Sequence, residues 1–229
     1  MSLNSQQIPA KAKHLSAELF IATGCSHCPV VMAELSQLLK NGKLGSLVIS
    51  NIAVDTERAG QFNIRSVPTF IFSGPDSSML FSGKYTPAEI QKWTEIALTE
   101  NSMIQYIESF LEQGELMAVT QAIQFAPETF TSVISMLKDE ETSMHVRIGL
   151  DALLENFSNT EILQQHVPAL LKLATEKNVR LQIDALHYLA LSGDKNIKAF
   201  LEEKTLDDDE QIKNAATEAL ETLSEITEN

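Results

Sequence analysis

Cysteine occurs at one place in this chain of 229 residues: Cys25 and Cys28, within Gly24-Cys25-Ser26-His27-Cys28-Pro29. Two intervening residues hold the sulfurs close together. The run from Leu15 to Ala22 before them reads as a strand, and the segment from Val30 to Leu39 after them reads as a helix beginning near Ser26. Pro29 suits the first turn of that helix, where a missing N–H costs nothing. The pair is thereby expected at a strand-to-helix junction.

That position suits thiol–disulfide exchange. The attacking species is a thiolate, and a free thiol is mostly protonated at neutral pH. Unpaired N–H groups and partial positive charge at a helix N-terminus favour the anion. A second thiol three positions on can resolve a mixed disulfide. Two other uses of a Cys-x-x-Cys pair stay open from the residues alone. Half of a zinc site needs two more ligands, but there are no further cysteines, and His14, His145, His166 and His187 show no partner spacing. A purely structural disulfide would be reduced inside a cell.

The residues that follow narrow the fold. Leu47 to Val54 is β-branched and apolar and predicts a buried strand, broken by Asp55-Thr56-Glu57. Val67-Pro68-Thr69 precedes the apolar run Phe70-Ile71-Phe72, and a proline without a ladder donor belongs at a strand's start. A short strand is expected over Met79–Ser82, a bend at Gly83, and an amphipathic helix over Thr86–Leu98. Thr86 is the expected N-cap, Pro87 the first helical residue and Glu89 the capping-box acid.

Cys25-Ser26-His27-Cys28, Val54-Asp55, Ile64-Arg65-Ser66-Val67-Pro68-Thr69 and Gly83 before the last helix stand in an order that resembles the thioredoxin superfamily. The Cys-x-x-Cys-Pro form is also similar to glutaredoxin-type domains and to the N-terminal domain of alkyl hydroperoxide reductase flavoproteins. The resemblance covers roughly residues 14–99. It implies a mixed sheet flanked by helices, with Cys25 as nucleophile and Cys28 as resolving thiol. It further implies a cis Pro68 facing the pair, and Val67, Pro68 and Thr69 shaping a groove where an extended substrate adds as a strand. Two positions depart from the pattern. Gly24 replaces the usual tryptophan before the first cysteine, and Leu19 stands where thioredoxins bury an aspartate, with Glu18 on the other side of the strand. His27 precedes the second cysteine as in strongly oxidising relatives; an imidazolium there would stabilise the thiolate and raise the potential.

Charge separates the two halves of the chain. Residues 1–100 carry eight basic and eight acidic side chains, while residues 101–229 carry nine and twenty-three, so the whole net charge of −14 falls in the second part. A domain of residues 1–100 followed by one of residues 101–229 is the expected organisation. An acidic surface excludes nucleic acid as the expected partner. No apolar run reaches membrane-spanning length, and residues 1–14 lack the apolar centre of a signal peptide, so a cytoplasmic location is expected. Residues 2–13 leave a short helix open.

The second part reads as helix throughout, and it repeats. Val146-Arg147-Ile-Gly-Leu-Asp151-Ala152-Leu153 returns 33 residues later as Val179-Arg180-Leu-Gln-Ile-Asp184-Ala185-Leu186. A weaker copy, Ile212-Lys213 to Glu218-Ala219-Leu220, follows with the acid shifted by one. A period in this range predicts stacked helix pairs, and the pattern resembles HEAT-like repeats, in which it marks the second helix of each pair. Pairs are expected at 102–112 with 115–124, 127–138 with 143–156, 160–175 with 177–191, and 194–204 with 208–224. Arg147, Asp151, Arg180 and Asp184 are expected to form a ladder between neighbouring repeats. Met103, Met117, Met136 and Met144 are expected in the core.

The fold class expected is an α/β thioredoxin-like domain followed by an all-α HEAT-like repeat domain. The expected activity is thiol–disulfide exchange on protein substrates, serving cell redox homeostasis. The Cys25–Cys28 pair itself carries the electrons, without metal or other cofactor. A protein disulfide or thiol client, and an upstream reductase, are the partners this implies. The alternative is a non-catalytic, redox-sensing adaptor whose acidic helices bind a partner protein.

Overall fold

The computed structural model describes residues 15–74 and 78–228. The expectation for residues 2–13 lies outside them. The chain divides into two compact units: the described residues up to Tyr106 together with Gln124–Ala126, and Ile107–Ile123 together with the described residues from Pro127 onward.

The first unit is built on a four-stranded mixed sheet. Its strands are β1 (Ser16–Ile21), β2 (Ser46–Asn51), β3 (Thr69–Ser73) and β4 (Ser78–Ser82), in the order β2-β1-β3-β4. β1 and β2 run parallel, and β1–β3 and β3–β4 are antiparallel. Helix α1 (Cys28–Lys40) joins β1 to β2, as a parallel pair requires, and packs on both strands and on α3 (Pro87–Ile96). Short α2 (Thr56–Gln61) precedes β3. β3 is buried from Thr69 to Phe72, as a central strand covered on both faces should be. Phe81 of β4 collects the aromatic side chains, with Phe70 at 4.8 Å, Trp93 at 5.3 Å and Tyr106 at 5.4 Å between ring centroids. Burying each such ring contributes roughly 1.5–3 kcal/mol. The Tyr106 hydroxyl donates to the Leu80 carbonyl at 2.5 Å, and burial raises its pKa well above the usual tyrosine range.

Three expectations about this unit are corrected. α1 starts at Cys28 with His27 as its N-cap, later than the expected start near Ser26; ahead of it, positive-φ Gly24 and the Cys25 N–H bonded to the Ala22 carbonyl form a turn. β2 ends at Asn51 rather than Val54: the Asn51 carbonyl accepts the N–H groups of Val54 and Asp55, and its side chain accepts that of Ala53. Nor is β2 buried. It lies at the edge of the sheet, where Val48 and Ile49 are 51% and 42% exposed. Asp55-Thr56-Glu57 does break the strand, but it does so by opening α2, with Asp55 accepting the Arg58 N–H as N-cap.

The boundary between the units falls within α4 (Ser102–Glu112), and α5 (Leu116–Phe125) follows. The second unit continues with α6 (Phe130–Lys138), α7 (Met144–Asn156), α8 (Glu161–Gln164), α9 (Val167–Leu173), α10 (Val179–Leu191), α11 (Lys198–Lys204) and α12 (Glu210–Glu228). Helix α6 packs on α7, α9 on α10, and α11 on α12; between pairs, α6 meets α9, while α10 meets α7 and α12. The longer second helices are capped by side chains that accept an N–H three residues on, Ser143 from Val146 and Asn178 from Leu181. Among the described residues no helix is long and apolar enough to cross a membrane.

The first helices of the pairs are less regular than expected. Single 3₁₀ turns at Pro127–Thr129 and Lys195–Ile197 precede α6 and α11. The stretch 160–175 splits into α8 and α9, because Pro168 can be accommodated only in a first helical turn. The arginine–aspartate ladder does not form among the described residues. Instead Arg147 donates to the carbonyls of Thr142 (3.0 Å) and Asp139 (2.6 Å), and Asp151 accepts the hydroxyl of Tyr188. Met103 and Met136 are buried, whereas Met117 and Met144 are largely exposed.

Candidate functional site

β1 delivers Cys25. After Ile21 the chain turns through Thr23 and positive-φ Gly24, and Cys25 and Cys28 are joined as a disulfide with their Cα atoms 5.5 Å apart. Cys28, the first residue of α1, is 5% exposed, while Cys25 is part-exposed. The Cys28 N–H, free of any intrahelical partner at this position, donates to Cys25 Sγ at 3.1 Å. The helix thus aims a backbone donor at the more accessible sulfur. His27 stands at the N-cap of α1, exposed, and its side chain caps nothing.

β3 brings the second part of the site. Phe20 pairs with Thr69 in the antiparallel β1–β3 register, so the residues just before Thr69 and those just after Ile21 leave the sheet at the same end. The Val67–Pro68 peptide bond is cis. The Pro68 carbonyl accepts the Gly83 N–H at 2.9 Å. Thr69 is buried, with its hydroxyl donating to the Ser66 carbonyl at 2.8 Å and lying 2.9 Å from Ser82 Oγ. That side chain braces the loop from inside. Neither backbone group of Val67 has a hydrogen-bond partner among the described residues, and Val67 is part-exposed.

β2 ends on the same side, because it runs parallel to β1. Asn51 Nδ2 donates to Thr23 Oγ1 at 3.3 Å, and the Ile52 N–H donates to the Ile21 carbonyl at 2.9 Å. These bonds tie the cysteine loop to the end of β2. Sequence reasoning missed Asn51 and Thr23; their role depends on β1–β2 register, and an asparagine at a strand end signals only a turn.

Leu19 is fully buried and supplies no proton acceptor behind the pair. Glu18 is engaged elsewhere: both its oxygens accept from Arg58 of α2 at 2.8 Å, and Arg58 lies over the Phe62 ring at 4.3 Å. The hydrogen bond to Glu18 raises the Arg58 pKa further. Among the described residues no group of three or more His, Cys, Asp or Glu side chains is gathered closely enough to hold a metal ion.

No protein-family model matches the chain, and no curated protein matches it in sequence. Chemically, the arrangement offers a dithiol–disulfide couple with one part-exposed and one buried cysteine, at the same end of the sheet as a loop whose Val67 backbone groups have no hydrogen-bond partner among the described residues.

Proposed function

We propose that the chain is a thiol–disulfide oxidoreductase acting on protein substrates, with a thioredoxin-like first unit and a HEAT-like second unit that recognises the partner. The observation that carries this reading is the asymmetry of the pair. Cys25 is accessible and receives a backbone N–H, while Cys28 is shielded at the helix start. The mixed sheet with flanking helices and the Val67–Pro68 loop at the cysteine end of the sheet support it.

In the reducing direction, the Cys25 thiolate attacks a client disulfide. A Cys25–client S–S bond forms, the client S–S bond breaks, and the departing client sulfur takes up a proton. Cys28 then loses its proton and attacks Cys25 Sγ, which releases the second client thiol and leaves the Cys25–Cys28 disulfide. Two electrons have moved to the client, and an upstream dithiol reductase restores the pair. Val67 offers its free backbone groups to an extended client segment, and Pro68, with Thr69 beneath, holds that edge in place. The Cys28 N–H stabilises the Cys25 thiolate in the reduced form.

Insulin reduction by dithiothreitol tests the proposal. The native chain should accelerate it, and Cys25→Ser should abolish the acceleration. A native chain without effect, or a Cys25→Ser variant of equal activity, leaves the redox-sensing adaptor in its place. Cys28→Ala should retain clients as mixed disulfides on Cys25, identifiable by mass spectrometry.

A further inference from the structure

Cys25 is delivered by a tight turn. Its N–H donates to the Ala22 carbonyl at 3.2 Å, and Gly24, the third residue of the four, has a φ of 83°. A positive φ at that position alone makes the turn type II. Asn51, at the end of β2, reaches this turn from the neighbouring strand. Its Nδ2 donates to Thr23 Oγ1 at 3.3 Å, while its Oδ1 accepts the Ala53 N–H at 3.0 Å. The second bond already orients the amide, so the first costs little further side-chain ordering. Beside it, the Ile52 N–H donates to the Ile21 carbonyl at 2.9 Å. Among the described residues no other side chain hydrogen-bonds to Ala22, Thr23 or Gly24.

Such an anchor matters most when the pair is reduced. In the disulfide, the S–S bond itself fixes Cys25 against Cys28. Once that bond is broken, the backbone around Cys25 decides whether its sulfur stays beside the Cys28 N–H, which lies 3.1 Å away in the oxidised pair. That donor is worth more to a thiolate than to a thiol, since hydrogen bonds to an ionised acceptor are roughly twice as strong as neutral ones. A turn free to swing would let the sulfur leave its donor. The Thr23–Asn51 bond opposes that motion by tying the turn to β2.

We propose that Asn51 is a positioning residue: through Thr23 it holds Cys25 Sγ at the Cys28 N–H in the reduced chain and so lowers the cost of forming the thiolate. The inference deepens the proposed function and rests on its choice of Cys25 as the attacking sulfur, but its test needs no client and no turnover.

The test compares the full native chain with Thr23→Val, Thr23→Ser, Asn51→Ala and the double variant Thr23→Val/Asn51→Ala. All the changes are uncharged, so His27, Asp55, Arg65 and Lys84, in the loops at this end of the sheet, keep their charges. The reduced chains are alkylated with iodoacetamide across a pH series, and modification of Cys25 is followed by mass spectrometry. Thr23→Val keeps the side-chain shape and removes the hydroxyl. It should move the pH midpoint of Cys25 alkylation upward and slow the reaction in mildly acid solution about threefold, the order of one hydrogen bond. Asn51→Ala should act in the same direction, the double variant should go no further than Asn51→Ala alone, and Thr23→Ser should restore the native profile. In glutathione buffers Thr23→Val should displace the equilibrium toward the disulfide by a similar factor. A native Cys25 profile in Thr23→Val, a Thr23→Ser profile shifted as far as that of Thr23→Val, or additive shifts in the double variant would overturn the proposal; so would a Thr23→Val chain that changes only in its unfolding midpoint. Absent insulin reduction with the Thr23→Val shift present would sink the oxidoreductase alone. Insulin reduction by the native chain with an unshifted Thr23→Val profile would sink the Asn51 assignment alone.

Discussion

His27 occupies the N-cap of α1 without a side-chain bond to hold it there, so its imidazole is exposed beside the cysteine pair. In the proposed exchange, a positive charge at that position would stabilise the reduced Cys25 thiolate and make the couple more oxidising. His27→Ala should therefore lower the reduction potential. A tenfold change in the equilibrium with glutathione corresponds to about 30 mV, and a shift of that order toward more negative values is expected. Equilibration against glutathione buffers measures it, and an unchanged potential removes His27 from the mechanism. Residues of this kind were legible in the sequence because their chemistry resides in residue type and local spacing. Cys25, Cys28, His27 and Pro68 could be singled out without knowing any strand partner. Asn51, Thr23 and the Glu18–Arg58 pair could not. Each acts across elements that are 28 and 40 residues apart in the chain, and only strand register brings them together.

At the scale of elements, α3 shows what a local signal can carry. Thr86 Oγ1 accepts the Glu89 N–H at 3.3 Å, and Glu89 accepts from the Thr86 N–H and hydroxyl, both at 2.7 Å. Thr86→Ala should cost about 1 kcal/mol, read from urea unfolding followed by the fluorescence of Trp93, which lies in the same helix. The loss should depend on pH. The Thr86 N–H, then its hydroxyl, hold the Glu89 carboxyl below the ordinary glutamate range. Stabilisation from a depressed carboxyl is present above the ordinary range and disappears as pH falls through the lowered value. The hydroxyl's share should accordingly vanish in acid, and a loss of equal size at neutral and strongly acid pH would refute the coupling. Other elements gave weaker signals. Helix α2, Thr56–Gln61, is six residues long with only Ala59 buried, too short to show an apolar period. The apolar stretch of β2 resembled a buried strand because composition does not reveal position in a sheet. The break between α8 and α9 was marked by Pro168, but whether a proline ends one helix or opens the next depends on what packs around it.

At the scale of the whole molecule, charge is the property that distinguishes the two parts. The 33-residue recurrence made the helix pairs of the second part legible, because each copy repeats the same buried positions, such as Leu153 and Leu186. What the recurrence hid was the use of its polar positions. Arg147, expected to meet an aspartate of a neighbouring repeat, donates instead to the backbone carbonyls of Thr142 and Asp139, Arg180 is exposed, and Asp151 accepts the Tyr188 hydroxyl. Repulsion among like charges opposes the compact state, and dissolved salt screens it. Raising the salt concentration from about 0.01 to about 0.15 M shortens the screening length from roughly 30 to roughly 8 Å. Residues 101–229 carry all the excess negative charge, and residues 1–100 carry none. Far-UV circular dichroism reports mainly the helices of the second part, whereas the single tryptophan, Trp93, reports the first. Added sodium chloride should raise the dichroism midpoint of thermal unfolding while moving the Trp93 midpoint little. If both midpoints rise together by the same amount, the acidic carboxylates are not the destabilising element, and the excess charge of the second part is already balanced within its fold.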